Sequence, residues 1–418
     1  MQTIIVGGGL IGLSTAHALL ERGEEVLVFE RLDGVGQDTS FANGGMLTPS
    51  LPEPWNGPGV FSHLASSIFN PQASMKLRLQ QIPSLLTWGV RFLRNSSENR
   101  FLAATLDNHR LARYSLEKTL EISTRLNFQY DFSGQGTLCI FQDAAHMDDR
   151  RRVSHHLRDC GLQMQELDVE QVVAREPVLE SVRDQIIGGL WFPDDSRGDA
   201  HLFCRELASA VTAAGGEIRT GMSVSQLTCD NGQITGIVAN GESFVADRIV
   251  VAAGSYSPNL LGTIGQSVSV KPAKGYSITI EGSGLGELPK SAIADDSSHA
   301  VITSFGKRLR ICGTAEFAGF DKRLRPERIN NLFHVFESVL PEMAVRVERD
   351  HVDAWAGLRP MSDDGRPFIG AGSVKGLFIN TGHGALGWTM AMGSANVLAD
   401  LICGTMPDTD HSPFDPLR

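Results

Sequence analysis

The chain has 418 residues, enough for two domains, and with 42% hydrophobic residues it can fill an ordinary core. Its net charge of -11 excludes nucleic-acid binding driven by bulk electrostatics, and no run approaches the roughly 18 unbroken apolar residues of a membrane span. The six cysteines (139, 160, 204, 229, 312 and 403) form no C-x-x-C pair and no metal spacing, so they read as reduced thiols of a cytoplasmic protein with no metal site.

The order of elements begins with a β-branched run, Thr3-Ile4-Ile5-Val6, followed at once by Gly7-Gly8-Gly9-Leu10-Ile11-Gly12. Apolar residues recur at helical spacing over 10–20, and a second apolar run over 25–29 closes on Glu30. Gly7, Gly9 and Gly12 thus fit the G-x-G-x-x-G fingerprint of dinucleotide sites. Gly7 permits the tight turn, Gly9 lets the backbone approach a pyrophosphate, and Gly12 lets the helix pack close to the strand. The helix opens at Leu10 and Ile11, offering free N–H groups and a positive dipole end to the phosphates. Glu30 is placed to accept bonds from a ribose, which disfavours a 2′-phosphate and leaves NAD and FAD open. The apolar start carries no basic n-region and does not read as a secretory signal.

Residues 31–60 are irregular around Asp38-Thr39-Ser40-Phe41-Ala42-Asn43-Gly44-Gly45-Met46, a length that is usually functional inside a compact domain. Residues 61–127 read as helical. Within them 75–94 is apolar with Trp88 and the cations Lys76, Arg78, Arg91 and Arg94, and Pro83 breaks or kinks it. Such a segment is a candidate for peripheral contact with the inner face of the cell membrane, the plain alternative being packing inside a domain. An amphipathic helix over 106–126 turns Leu111, Tyr114, Leu116, Leu120 and Ile122 toward a core. Strands at 137–141 and 189–192 flank a polar helix. A helix at 202–214 precedes strands at 216–220, 223–227 and 234–238, and Asp230-Asn231-Gly232 signals a hairpin. After a short run at 244–246, the strand from Arg248 ends in Ala252, Ala253 and Gly254, small enough to pass close to a bound nucleotide. Strands at 271–280, carrying Tyr276, and at 309–312, a helix at 326–340 and a strand at 377–380 follow. The stretch from Thr381 through His383 to Met390 is a second glycine turn opening a last helix through 401, and the tail from 404 reads as loosely ordered. Two glycine turns at opposite ends of the chain suit two ends of an elongated cofactor. The second would set a helix N-terminus against the negative charge of a reduced flavin; a nicotinamide develops no such anion, so FAD is favoured.

These motifs resemble the FAD-dependent amino-acid oxidoreductases of the D-amino-acid oxidase and glycine oxidase superfamily, among them the bacterial D-amino-acid dehydrogenases. The matching stretches are the first thirty residues, Thr39 through Gly45, Pro54-Trp55 with Pro58-Gly59-Val60, Lys274-Gly275-Tyr276-Ser277, Gly357-Leu358-Arg359-Pro360-Met361, and Asn380 through Met390. The resemblance implies an α/β fold. A doubly wound, Rossmann-like FAD-binding domain (1–60, 195–268 and 352–418) carries an inserted α+β substrate domain on a mixed or antiparallel sheet (61–194 and 269–351). It implies noncovalent FAD, since no Cys or His stands where the covalently flavinylated members carry one. It implies cofactor contacts from Gly7, Gly9, Leu10, Ile11, Gly12, Glu30 and Arg31, and from Thr39, Ser40, Asn43, Gly44, Gly45 and Met46. Further contacts are implied for Val224, Ala252, Ala253 and Gly254, and for Gly384, Ala385, Leu386, Gly387, Trp388 and Thr389.

The reaction so implied is oxidative deamination of a D-amino acid to a 2-oxo acid and ammonia. Hydride passes from Cα, held about 3–3.5 Å away, to the flavin N5. Three residues carry the substrate end. Arg359 holds the carboxylate in its planar fork, projected by the extended backbone that Pro360 favours. The competing cation, Arg366, follows Asp363, Asp364 and Gly365 and reads as a turn residue. Tyr276 is expected to face the flavin, the alternative being a strand aromatic in the core. His383 joins the site without a general-base role, the alternative being a backbone-bonded histidine that shapes the turn. Electrons are expected to pass to a quinone or another acceptor that is not O₂. The variant Gly45-Met46-Leu47 and the short tail leave the substrate open. Left open are a D-hydroxyproline or D-proline type of cyclic substrate, an O₂-using oxidase, and a subunit of a heteromeric dehydrogenase.

Overall fold

The computed structural model describes residues 2–60 and 75–418. Two large sheets organise the chain. The first has six strands in the order Phe368–Ala371, Leu377–Thr381, Arg248–Val251, Gln2–Val6, Glu25–Phe29 and Glu217–Arg219. All neighbours run parallel except Phe368–Ala371, which is antiparallel to Leu377–Thr381. Parallel strands need cover on both faces. On one face the helices Leu10–Leu20 and Gly387–Cys403, with the long helix Glu98–Leu126 behind them, bring Leu19, Leu111, Val397 and Leu398 against Ile5, Val28 and Val250. Helix Ala200–Ala213 extends this layer through Phe203 and Leu207, packed with Leu13 and Trp388. On the other face, the meander Val224–Asp230, Gln233–Ala239 and Glu242–Val245 sets Leu227, Ile234 and Ile237 against Ile4, Ile249 and Ile379. Asn231 and Gly232 turn its first hairpin with φ of 48° and 76°, the left-handed pair a two-residue turn requires.

The second sheet has nine strands. Eight lie in the order Asp353–Ser362, Val270–Glu281, Arg308–Phe317, Ala300–Phe305, Ala292–Asp295, Thr137–Phe141, Gly188–Phe192 and Gln165–Leu167, and Met75–Leu77 joins beside Arg308–Phe317. It is mixed, with parallel pairs at Ala292–Asp295 with Thr137–Phe141 and at Met75–Leu77 with Arg308–Phe317. One face packs on helix Pro326–Val339 through Ile278, Ile302, Ile311, Leu332 and Phe336. Residues of the opposite face line the cavity described below.

The expected α/β nucleotide fold with an α+β insertion is present, but several details differ from the sequence reading. Strand Asp353–Ser362 pairs with Val270–Glu281 along its whole length and belongs to the second sheet, not to a nucleotide segment beginning at 352. Gly357 and Pro360 hid it, since both residues argue against a strand interior. Helix Glu98–Leu126, inside the expected insertion, packs on the last helix of the nucleotide layer. There the Gly393 N–H donates to Ser115 Oγ at 3.0 Å, and a Cβ on Gly393 would lie 2.7 Å from the Ser115 Cβ. Pro83 sits in the first turn of helix Ile82–Arg94, where its missing N–H costs nothing, so it starts the helix instead of kinking it. Met75–Leu77 is a strand, and Trp88 points inward, donating to the Met361 carbonyl at 3.2 Å. The tail is anchored: Phe414 is buried in the nucleotide core, and Arg418 pairs with Asp364 at 2.8 Å. The helical reading of 61–74 lies outside the described residues.

Candidate cofactor and substrate site

Crowding explains the first glycine turn. Gly7 has φ +117°, and a Cβ on it would stand 2.5 Å from the Ala252 carbonyl oxygen. A Cβ on Gly12 would stand 1.8 Å from the Gly7 carbonyl oxygen, so the helix approaches the strand this closely only without that side chain. Gly9 is different: among the described residues only Ser40 Oγ, at 3.3 Å, comes within 4 Å of a Cβ there. The Leu10 N–H donates to Ser40 Oγ at 3.2 Å, at the helix N-terminus. Glu30 accepts the N–H of Gly8 at 2.6 Å and of Leu32 at 2.9 Å. It therefore braces the turn, and about two of the roughly four acceptor positions of a carboxylate stay open for a ligand. Arg31 pairs with Asp38 and lies 4.0 Å over the Tyr256 ring.

The irregular loop is held by the second sheet. Ser277 Oγ donates to the Ala42 carbonyl at 2.7 Å, Arg310 Nη1 to that of Asn43 at 3.1 Å and Thr303 Oγ1 to that of Gly44 at 2.9 Å. Thr39 Oγ1 donates to the Leu358 carbonyl at 3.0 Å, and Asn43 Oδ1 accepts the Gly45 N–H at 2.9 Å. Thr389, in the first turn of the last helix, donates to the Met46 carbonyl at 3.3 Å and accepts the Thr48 N–H at 3.1 Å. A segment without regular structure is thereby fixed between the second sheet and the first and last helices.

These parts enclose one cavity of about 1150 Å³. It gathers Gly7, Gly9, Leu10, Ile11, Glu30 and Arg31; Thr39, Ser40, Asn43, Gly44, Gly45 and Met46; Val224, Ala252, Ala253 and Gly254; and Gly384 through Thr389. Gly12 lies outside it, packed under Gly7. Arg359 and His383 line the cavity; Tyr276 does not. The residues fit an elongated flavin dinucleotide, with open backbone at Gly9 beside one helix N-terminus and the Gly384 turn, at φ +56°, leading into another.

Among the described residues no carboxylate lies within ion-pair distance of Arg359. Its Nη1 donates, among the described residues, only to the Thr314 carbonyl, at 3.4 Å, and its guanidinium stands 5.4 Å over the Trp55 ring. Burial pushes its pKa down. Arg359 is half-buried, and a cation drawn that far out of water without an anion is costly unless a ligand supplies the charge. Arg366, by contrast, lies 3.0 Å from Asp107 Oδ2 and away from the cavity.

His383 is buried, and neither ring nitrogen has a hydrogen-bond partner among the described residues, so it is not the backbone-bonded histidine of the alternative reading. Burial pushes its pKa down to about 3, which keeps the imidazole neutral and weakly basic. Tyr276 corrects the expectation that it faces the flavin. Successive strand residues point to opposite faces: Gly275 lines the cavity, whereas Tyr276 lies in the opposite core with its hydroxyl donating to Glu316 Oε2 at 2.6 Å. Glu316 also lies 3.0 Å from the buried Lys274 Nζ. The burial of Glu316 raises its pKa, but hydrogen bonds from Tyr276, Lys274 and Arg78 outweigh that and hold it below the usual range. Sequence reasoning gave no role to Trp55, Thr314 or Trp355, all at the cavity; the available signal was glycine inside strands, at Gly275 and Gly357.

Residues 2–401 match the family described as FAD dependent oxidoreductase. The chain is 37% identical to a protein named D-amino acid dehydrogenase from Methylobacterium sp. (strain 4-46), over 100% of this chain and 99% of the relative. It is 38% identical to another of that name from Phenylobacterium zucineum, over 99% of this chain and 96% of the relative. The fold matches glycine oxidase from Geobacillus kaustophilus with TM-score 0.76 at 23% identity, covering 100% of this chain and 98% of that one. L-proline dehydrogenase from P. horikoshii matches with TM-score 0.76 at 18% identity, covering 100% and 97%.

Proposed function

The chain belongs to the FAD-dependent oxidoreductases, and from that premise we propose that it is a D-amino-acid dehydrogenase, the name its full-length relatives carry. The observation that carries the substrate class is Arg359, a half-buried guanidinium at the cavity with no carboxylate among the described residues to pair with. A zwitterionic substrate supplies that carboxylate, bound bidentately. FAD, when bound, would supply the two-electron acceptor for the hydride that leaves the substrate Cα. The Cα–N bond thereby becomes an imine, which water hydrolyses to a 2-oxo acid and ammonia. Arg359 orients the substrate, and the loop over 39–48 and the last helix hold the walls fixed. The amine gives its proton to solvent, since His383 is too weak a base to hold it at neutral pH. Burial pushes the cavity-lining thiols Cys139 and Cys312 up to about 12 and about 11, so neither offers a thiolate for covalent attachment, which supports noncovalent FAD.

The acceptor belongs to the same proposal: a quinone-type molecule reached from the inner face of the cell membrane, on a protein otherwise in the cytoplasm. Helix Ile82–Arg94 and the turn before it expose Leu79 (62%), Leu86 (60%) and Val90 (50%), with Arg91 and Arg94 beside them, as an interfacial helix would. The deciding experiment is a panel of D- and L-amino acids assayed with a dye acceptor and, in parallel, by O₂ consumption. Turnover of D-amino acids with dye and not with O₂ is expected; O₂-coupled turnover or L-selectivity overturns the proposal.

A further inference from the structure

We propose that Gly275 and Gly357 are positioning residues for this reaction: a paired gap in the second sheet that seats Arg359 and Trp355 side by side, so that carboxylate and α-substituent are read together. The proposal rests on the amino-acid substrate argued above. Gly275 and Gly357 are cross-strand register partners, and such partners stand about 4.5–5.5 Å apart at Cα. Neither has a left-handed φ, so the backbone does not call for glycine at either place. What each supplies is space. A Cβ on Gly275 would lie 2.0 Å from Arg359 Nη1, 2.4 Å from its Cζ and 2.6 Å from its Nη2; the guanidinium lies on that peptide. A Cβ on Gly357 would lie 2.1 Å from Trp355 Cη2 and 2.5 Å from its Cζ2, so the benzo ring lies on the other. All four residues line the cavity.

The guanidinium is covered by Gly275 on one side and approached by Trp55 at 5.4 Å. Apart from the Thr314 carbonyl on Nη1, its N–H groups meet no acceptor among the described residues, and such donors can grip a carboxylate bidentately. The substrate Cα is one bond from that carboxylate, which brings the α-substituents within reach of the Trp355 ring. A fixed indole there favours apolar substituents and limits their bulk. Trp355 is thus a specificity-determining residue and the two glycines its support.

The atoms that an added methyl meets first are side-chain ends, so alanine displaces Arg359 or Trp355 and leaves the strands paired. Holoenzymes of wild type, Gly275→Ala and Gly357→Ala are compared after flavin content and Tm are measured. Gly275→Ala is expected to raise KM about tenfold or more for every amino acid oxidised, with kcat changed less than about threefold. It should weaken acetate, a carboxylate without an amine, to a similar degree, read from the flavin absorbance. Gly357→Ala is expected to leave the acetate Kd within about threefold and to shift the kcat/KM ratio of D-alanine to D-phenylalanine by about fivefold or more. A flavin-loaded Gly275→Ala with wild-type KM and acetate Kd overturns the proposal, as does an unchanged ratio in Gly357→Ala. If Gly275→Ala loses its flavin, the Gly357→Ala ratio decides alone. Wild type that turns over no D-amino acid but binds acetate in a Gly275-dependent way overturns the function reading and supports the positioning.

Discussion

Arg359 Nη1 donates to the carbonyl of Thr314, and Thr314 is a β-branched residue held at φ +56°. It is the extra residue of a bulge, since Gly275 pairs with Ala315 while Tyr276 pairs with Gly313. Bulges re-aim groups next to active sites, and this one supplies the only protein acceptor recorded for the guanidinium among the described residues. Arg359→Lys keeps the charge and loses the fork. The loss of a charged hydrogen bond, about 1.5–3 kcal/mol, predicts a fall of roughly 10- to 150-fold in kcat/KM. Arg359→Ala should fall further with its flavin retained. Near-normal kcat/KM in Arg359→Ala would falsify the assignment.

Tyr276→Phe separates core from site. The variant leaves Glu316 with Lys274 and the arginines but removes one buried donor. Urea melts should show a loss of about 1–3 kcal/mol, while kcat/KM stays within about threefold. A hundredfold kinetic loss at unchanged stability would place the hydroxyl at the reacting atoms after all.

Gly9 and Gly12 should fail in different ways. Gly9→Val adds bulk where only Ser40 Oγ is near, so the protein should fold, melt cooperatively and lack flavin absorbance. Gly12→Ala drives a methyl into the Gly7 carbonyl and should lower Tm even without cofactor. Equal Tm for wild type and Gly12→Ala apoproteins would contradict this packing.

His383 gives a pH dependence. Its folded pKa of about 3 lies below the ordinary 6.5, so the unfolded chain binds a proton that the folded chain refuses. Stability held above pH 6.5 is lost as pH falls toward 3, by about 1.4 kcal/mol per pH unit. His383→Asn should flatten that slope by about one proton, measured by denaturant melts from pH 7 to 5. Its kcat/KM should stay within about tenfold, whereas removal of a true general base costs roughly 10²- to 10⁴-fold.

The exposed face of helix Ile82–Arg94 is tested by flotation with anionic liposomes. Wild type should float at low salt, and Leu86→Glu with Val90→Glu should abolish flotation while dye-linked activity persists. Wild type that stays at the bottom of the gradient removes the membrane from the proposal.

Local chemistry decided what was legible in the sequence. The glycine turn, Glu30 and the Asn231-Gly232 hairpin were readable because each needs particular residues at fixed short spacing. Strand Asp353–Ser362 was not, because Gly357 makes room for the Trp355 ring and Pro360 lacks the N–H expected of a strand interior, so neither residue reads as strand. Tyr276 was misplaced because its motif names a strand without naming a face, and one residue of register reverses the face. Trp355 and Thr314 escaped notice because their placement depends on a partner strand some 40 to 80 residues away in the chain, which no local pattern records.

The six-stranded sheet draws its strands from far apart in the chain, with Gln2–Val6 between Glu25–Phe29 and Arg248–Val251, and Leu377–Thr381 on the far side of Arg248–Val251. Strand Gln2–Val6 must therefore wait for Arg248–Val251, more than two hundred residues on, before it has a neighbour on each side. Until helix Gly387–Cys403 has emerged, the nascent chain exposes the apolar side of helix Leu10–Leu20 that the later helix covers. Contacts of such sequence separation fold slowly and leave surfaces open to aggregation. The nucleotide layer can thus close its core only once helix Gly387–Cys403 has been made.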